Sequence, residues 1–91
     1  MLTLVWRESA LGDLDGILDY IGERDAAAAD RLHAAIDACA GTLPLLPRKH
    51  RPGRVPGTRE AVVRPNYILV YRVTAEAVEI VNLIHARRQY P

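Results

Sequence analysis

Arginine is the residue type with which this chain could do chemistry. Eleven of its twelve basic residues are arginines, and Lys49 is the only lysine. A guanidinium offers a planar fork of donors that suits phosphate, carboxylate or an aromatic face better than a point-charge ammonium does. Arg59, Arg64 and Arg72 fall within strand-like segments, and Arg87 and Arg88 follow the last apolar run. These five are the candidates for contacting a target, although the same arginines also serve as ordinary solvated charge. His85 and Tyr90 are the groups near them that could give or take a proton, but no carboxylate can be assigned to His85 from spacing alone. Cys39 lies on an apolar helical stripe with no basic residue in the same turn, which fits a small buried hydrophobe better than a nucleophile. As a lone cysteine it excludes an intramolecular disulfide and a cysteine-based metal site. His33 and His50 are isolated. No metal-ligand spacing, phosphate-cradling glycine loop or serine nucleophile elbow is present, so neither metal nor cofactor is expected.

The elements that must position these residues can be read from periodicity. Leu2, Leu4 and Trp6 alternate with Thr3 and Val5, the pattern of a short strand over Leu2 to Trp6. Ser9 reads as an N-cap for a helix whose apolar stripe is Ala10, Leu11, Leu14, Ile17, Leu18 and Ile21, ended by Gly22. Asp25 caps a second helix with the stripe Ala28, Leu32, Ala35, Ile36, Cys39 and Leu43. The short gap between them predicts an antiparallel hairpin. From Pro44 to Thr58, four prolines, two glycines, four Lys/Arg and His50 predict a loop. Strands follow at Arg59 to Arg64, Tyr67 to Val73 and Val78 to Ile84, with turns too short for parallel crossovers. Alternation puts Arg64 on the side of Glu60, and Arg72 on the side opposite Tyr67, Leu69 and Tyr71. The expectation is a single α+β domain over residues 1–91, β-α-α-β-β-β, with the hairpin packed on a small, largely antiparallel sheet.

Composition narrows the function classes. The chain has 91 residues and a formal net charge of +1, but residues 1–41 hold eight acids and three arginines while residues 42–91 hold nine bases and three acids. The halves therefore carry −5 and +6, and the basic half calls for a polyanionic or acidic partner. Apolar residues make up 49% of the sequence with charges interspersed, which is a globular composition. No apolar run approaches the roughly 20 residues that span a bilayer, and no basic segment precedes an apolar one as in an export signal. A cytoplasmic protein is expected, without membrane contact.

An ordered set of residues goes further. Trp6, Ala10, Asp13-Leu14, Ile17 and Tyr20-Ile21 lead into a second amphipathic helix. Gly57-Thr58-Arg59-Glu60, then Tyr67-Ile68-Leu69-Val70-Tyr71-Arg72-Val73, then Val81-Asn82-Leu83-Ile84-His85-Ala86-Arg87-Arg88 complete the run. Across essentially the whole chain this resembles the RelE/ParE family of toxins from type II toxin–antitoxin modules. The resemblance implies a growth-arrest toxin, of a kind tied to plasmid stabilization, neutralised by a cognate ParD-like or RelB-like antitoxin. It also implies that operator DNA is contacted only through the antitoxin.

The family divides by mechanism. RelE-like members cleave mRNA in the ribosomal A site with basic sheet residues and a C-terminal tyrosine or histidine, whereas ParE-like members inhibit DNA gyrase. The mRNA-cleaving members carry an arginine just after the aromatic that opens the central strand, where this chain has Ile68 after Tyr67. Their basic residues on the preceding strand meet Glu60, Ala61 and Val62 here. Arg87 matches their arginine after the last strand, and Tyr90 reaches the catalytic tyrosine only by shifting the alignment. The chain is therefore closer to ParE, and the expected function is gyrase inhibition without catalysis. The alternative is a ribosome-dependent mRNA endonuclease that would use Arg64, Arg72, His85, Arg87 and Tyr90.

Overall fold

The computed structural model describes residues 2–87, so Arg88 and Tyr90 lie outside the described residues. Strand β1 (Thr3–Trp6) leads into helices α1 (Glu8–Gly22) and α2 (Ala26–Thr42). Strands β2 (Arg51–Pro52), β3 (Arg59–Arg64), β4 (Tyr67–Val73) and β5 (Ala77–His85) complete the chain. The five strands form one sheet in the order β1-β5-β4-β3-β2. All neighbouring pairs are antiparallel except β1 with β5, which run parallel from Thr3 beside Ala77 to Trp6 beside Ile80.

The helices form where apolar spacing and caps agree. Asp25 Oδ1 accepts from the Ala28 amide at 3.0 Å and satisfies one of the free donors that open α2. The expected cap on α1 is different. Arg7 takes the cap position with no side-chain bond, and Ser9 lies inside the first turn, where its hydroxyl donates to the Val81 carbonyl at 2.6 Å. Ser9 thus ties the helix to the sheet. The Pro44 to Thr58 segment is also more ordered than a loop, because β2 pairs Arg51 with Glu60 and Pro52 with Arg59.

The stripes of both helices bury against one sheet face. Ala10 and Leu14 from α1, with Leu32, Ile36 and Ala40 from α2, pack on Ala61, Leu69, Tyr71, Val78, Ile80 and Leu83. Ile36 is fully buried, and truncating such a side chain to alanine costs about 2–5 kcal/mol. Strand β4 is central, and Ile68 to Tyr71 are buried on alternate faces, as a run apolar on both sides requires. On the helix-free face a smaller cluster forms from Ile68, Val70 and Ile84, with Val81 and Ala86 packed against it.

Two bulges re-aim side chains. The β3–β4 register shifts between Val62 and Arg64, so Arg64 stands opposite Tyr67 on the helix side. Strict alternation puts Arg64 with Glu60; the extra residue at the bulge reverses that. A second shift leaves Val81 of β5 as the extra residue between Asn82, opposite Val70, and Ile80, opposite Tyr71.

Candidate functional site

Apart from Arg51 of β2, which is tied to Glu60, strand alternation leaves Arg72 of β4 on the helix-free face. It sits in β4 opposite Glu79 of β5, and Glu79 in turn lies beside Val5 of β1. One residue beyond β1, Arg7 reaches back so that its Nη1 stands 3.6 Å from Glu79 Oε1. Arg7, Ser9, Arg72, Glu79 and Val81 line a cleft of about 310 Å³. Arg72 is exposed and makes no ion pair or side-chain hydrogen bond among the described residues.

At the other side of this face the charges are matched. Glu60 is buried, with its carboxylate 3.2 Å from Arg51 Nη2 and 3.5 Å from Arg54 Nε. Its Oε2 also accepts from the Arg54 amide at 3.0 Å. Two hydrogen bonds and a further ion-pair contact on one buried carboxylate fold the proline-rich segment onto β3. Gly53 completes the turn by donating its amide to the Thr58 carbonyl at 2.7 Å, and a Cβ there would run into Thr58. Part of the basic loop is therefore an internal clamp.

The helix side of the same segment is also pinned. Arg59 donates from Nη1 to the carbonyls of His50 at 2.7 Å and Arg48 at 3.3 Å. The buried Tyr71 hydroxyl donates to the Pro47 carbonyl at 2.6 Å, and the His50 ring meets Tyr71 edge to face at 6.1 Å. Burial raises the Tyr71 phenol above its ordinary value, with Arg59 opposing, and lowers His50, with Lys49 adding to the effect. Burial likewise raises the Cys39 thiol, an unreactive setting for a sulfur.

The remaining candidates among the described residues gather at the far end of the sheet. Arg64, Tyr67 and His85 stand in one row across β3, β4 and β5. Arg64 Nη2 donates to the Arg31 carbonyl of α2 at 3.3 Å. His85 packs edge-on against Tyr67 at 5.3 Å, and its Nδ1 accepts from the Arg87 amide at 3.2 Å. That bond occupies the Nδ1 lone pair. Arg87 is exposed in the turn that follows β5. Arg72 lies five residues along β4 from this row, on the order of 17 Å away, and on the opposite face. The structure thus brings Arg64, His85 and Arg87 to one end and does not bring Arg72 to them.

Several contributing residues were not singled out from the sequence. Arg7 and Glu79 reach the cleft only because β1 pairs with β5, a contact that no local pattern announces. Asp13 is another. Its Oδ2 accepts from the Leu83 amide and from Asn82 Nδ2, both at 3.0 Å, along the part of β5 that β1 does not cover. Its position off the apolar stripe of α1 was a visible but ambiguous signal. Among the described residues no group of three metal-ligating side chains occurs, and no helix is long and apolar enough to cross a membrane.

Comparison with known proteins places this geometry in context. Residues 4–90 match the family described as the ParE toxin of type II toxin–antitoxin system, parDE. The chain is 40% identical over 87 residues to Y4kP of Sinorhizobium fredii, covering 94% of this chain and 90% of that protein. It is 38% identical over 88 residues to toxin RelE2 of Caulobacter vibrioides, covering 97% and 99%. Among solved structures, the chromosomal ParDE toxin–antitoxin system from P. aeruginosa superposes with a TM-score of 0.84 at 25% identity, over 93% of this chain and 96% of that one.

Proposed function

The chain belongs to the ParE toxin family of type II toxin–antitoxin systems, and from that premise we propose that it arrests growth by inhibiting DNA gyrase until a cognate antitoxin neutralises it. The observation that carries this reading is the separation of Arg72 from Arg64, His85 and Arg87 on the sheet. A ribonuclease must hold a base for the 2′-OH and a cation for the leaving group around one phosphate. Groups on the order of 17 Å apart on opposite faces of a sheet do not share a phosphate. His85 Nδ1, moreover, already accepts a backbone amide. A protein-binding toxin needs no such convergence, only exposed charge and shape. The target would be met in the cytoplasm, with the antitoxin as the partner that covers the toxin beforehand.

Expression without antitoxin tests the reading in a single culture. The expected result is induction of the DNA-damage response and accumulation of cleaved gyrase–DNA complexes, with transcripts intact. Codon-phased mRNA breaks with normal plasmid supercoiling would instead establish the endonuclease. That second reading is supported by the row of Arg64, Tyr67 and His85 with Arg87 beside it.

A further inference from the structure

We infer that the cleft between Arg7 and Arg72 is a carboxylate seat, which takes an aspartate or glutamate side chain from an extended segment of the antitoxin. Within the cleft the two arginines belong to different elements, and Glu79 lies with them. Arg7 is held toward Glu79 at 3.6 Å, while the guanidinium of Arg72 is exposed and makes no ion pair among the described residues. A fork of donors with no acceptor, beside a second one already oriented, fits a bidentate oxyanion.

Charge and geometry select the class of ligand. Two guanidiniums and one carboxylate leave a net of +1, which matches a single side-chain carboxylate. It is poorly matched to a nucleic-acid backbone, where binding grows with the number of phosphates neutralised. Glu79 would repel a polyphosphate chain along its length but is spanned by a single anion placed between the arginines. The adjoining surface favours polypeptide as well. Strand β1 ends the sheet, and its outer edge is unpaired among the described residues. Thr3 and Val5 are exposed on the helix-free face, and Arg7 continues the same alternation. A strand added to that edge would place every second side chain on this face, in line with Thr3, Val5 and Arg7. An acidic residue near the Arg7 end of such a segment lies beside Arg7, and its neighbours two positions away lie beside Val5. The exposed Arg72 guanidinium, two strands farther in, must reach across Glu79 to share that residue.

The proposal rests on the toxin–antitoxin reading, and the test separates the two. The antitoxin of the module is titrated by calorimetry against the wild-type chain, R7Q, R72Q, R72K, E79Q and the distant control R31Q, exposed on α2. Expected are a loss of roughly tenfold or more in affinity for R72Q and R7Q, a smaller loss for R72K, and no change for R31Q. E79Q binds more tightly, because it removes the one negative charge in the seat. A merely structural Arg7–Glu79 pair predicts the opposite sign for E79Q, so that variant decides between the two. Unchanged binding by R72Q, or weaker binding by E79Q, overturns the seat while leaving the antitoxin relationship intact. Failure of the wild-type chain to bind the antitoxin overturns both. A duplex oligonucleotide run in parallel is expected to bind wild type and R72Q alike. A selective loss of duplex binding by R72Q would make nucleic acid the occupant and end the proposal.

Discussion

At the scale of single residues, one carboxylate does most to shape the basic half of the molecule. Glu60 is nearly inaccessible, while Arg51 and Arg54 keep 57% and 39% of their side-chain surface. If Glu60 is neutralised, both arginines can turn to water, so the penalty falls below that of a fully buried pair. Glu60→Gln is expected to cost ~1–2 kcal/mol, read as a lower urea midpoint together with faster proteolysis between Arg48 and Thr58. An unchanged midpoint would mean that the clamp contributes nothing. His50 supplies a pH dependence with a definite sign. Burial and Lys49 depress its pKa below the ordinary 6.5, so the unfolded chain takes up a proton before the native one does. The stability His50 contributes is complete above about 6.5 and is lost as pH falls through its lowered native value. Urea midpoints should decline across that window, and His50→Gln should flatten the decline.

At the scale of elements, the helical hairpin, the Asp25 cap and the antiparallel meander were legible because each rests on short-range pattern. The parallel contact of β1 with β5 was not, since parallel partners are joined by long connections whose destination no local signal states. The bulges were equally silent, and one of them moved Arg64 from the face of Glu60 to that of Tyr67. The candidate site suffered for the same reason. Arg72 was visible as a lone charge on a strand, but Arg7 joins it only through β1 and β5. Where β1 stops, α1 takes over the edge of β5, with Ser9 on the Val81 carbonyl and Asp13 on the Leu83 amide. Asp13→Ala strips an acceptor from a partly buried amide and from Asn82. It is expected to cost ~1–3 kcal/mol and to speed hydrogen exchange at Leu83 selectively. Equal protection in the variant and the wild type would show that the edge is held by other means.

At the scale of the whole molecule, the two charged halves occupy different layers. Apart from Asp13, which turns to β5, the acids of the hairpin are exposed, and most of the bases lie on the clamp segment and the sheet. Such a polarised surface steers an acidic partner toward the sheet and away from the helices. The association rate with the antitoxin should therefore fall by roughly tenfold between about 0.05 M and about 0.5 M salt, while dissociation changes little. Stopped-flow measurement over that range checks it, and a salt-independent association rate would remove steering from the account.

The placement of β5 between β1 and β4 also has a bearing on how the toxin is made. As the chain leaves the ribosome, β1 and both helices emerge long before the strand they close upon. Without Val78, Ile80 and Leu83 the hairpin's apolar stripes have only part of a floor, and β1 has no partner. The proposed carboxylate seat is likewise incomplete, since Glu79 and Val81 arrive last. A chain that stops before Ala77 leaves β1 without its partner and the hairpin without much of its core, and it is expected to be degraded rather than to fold.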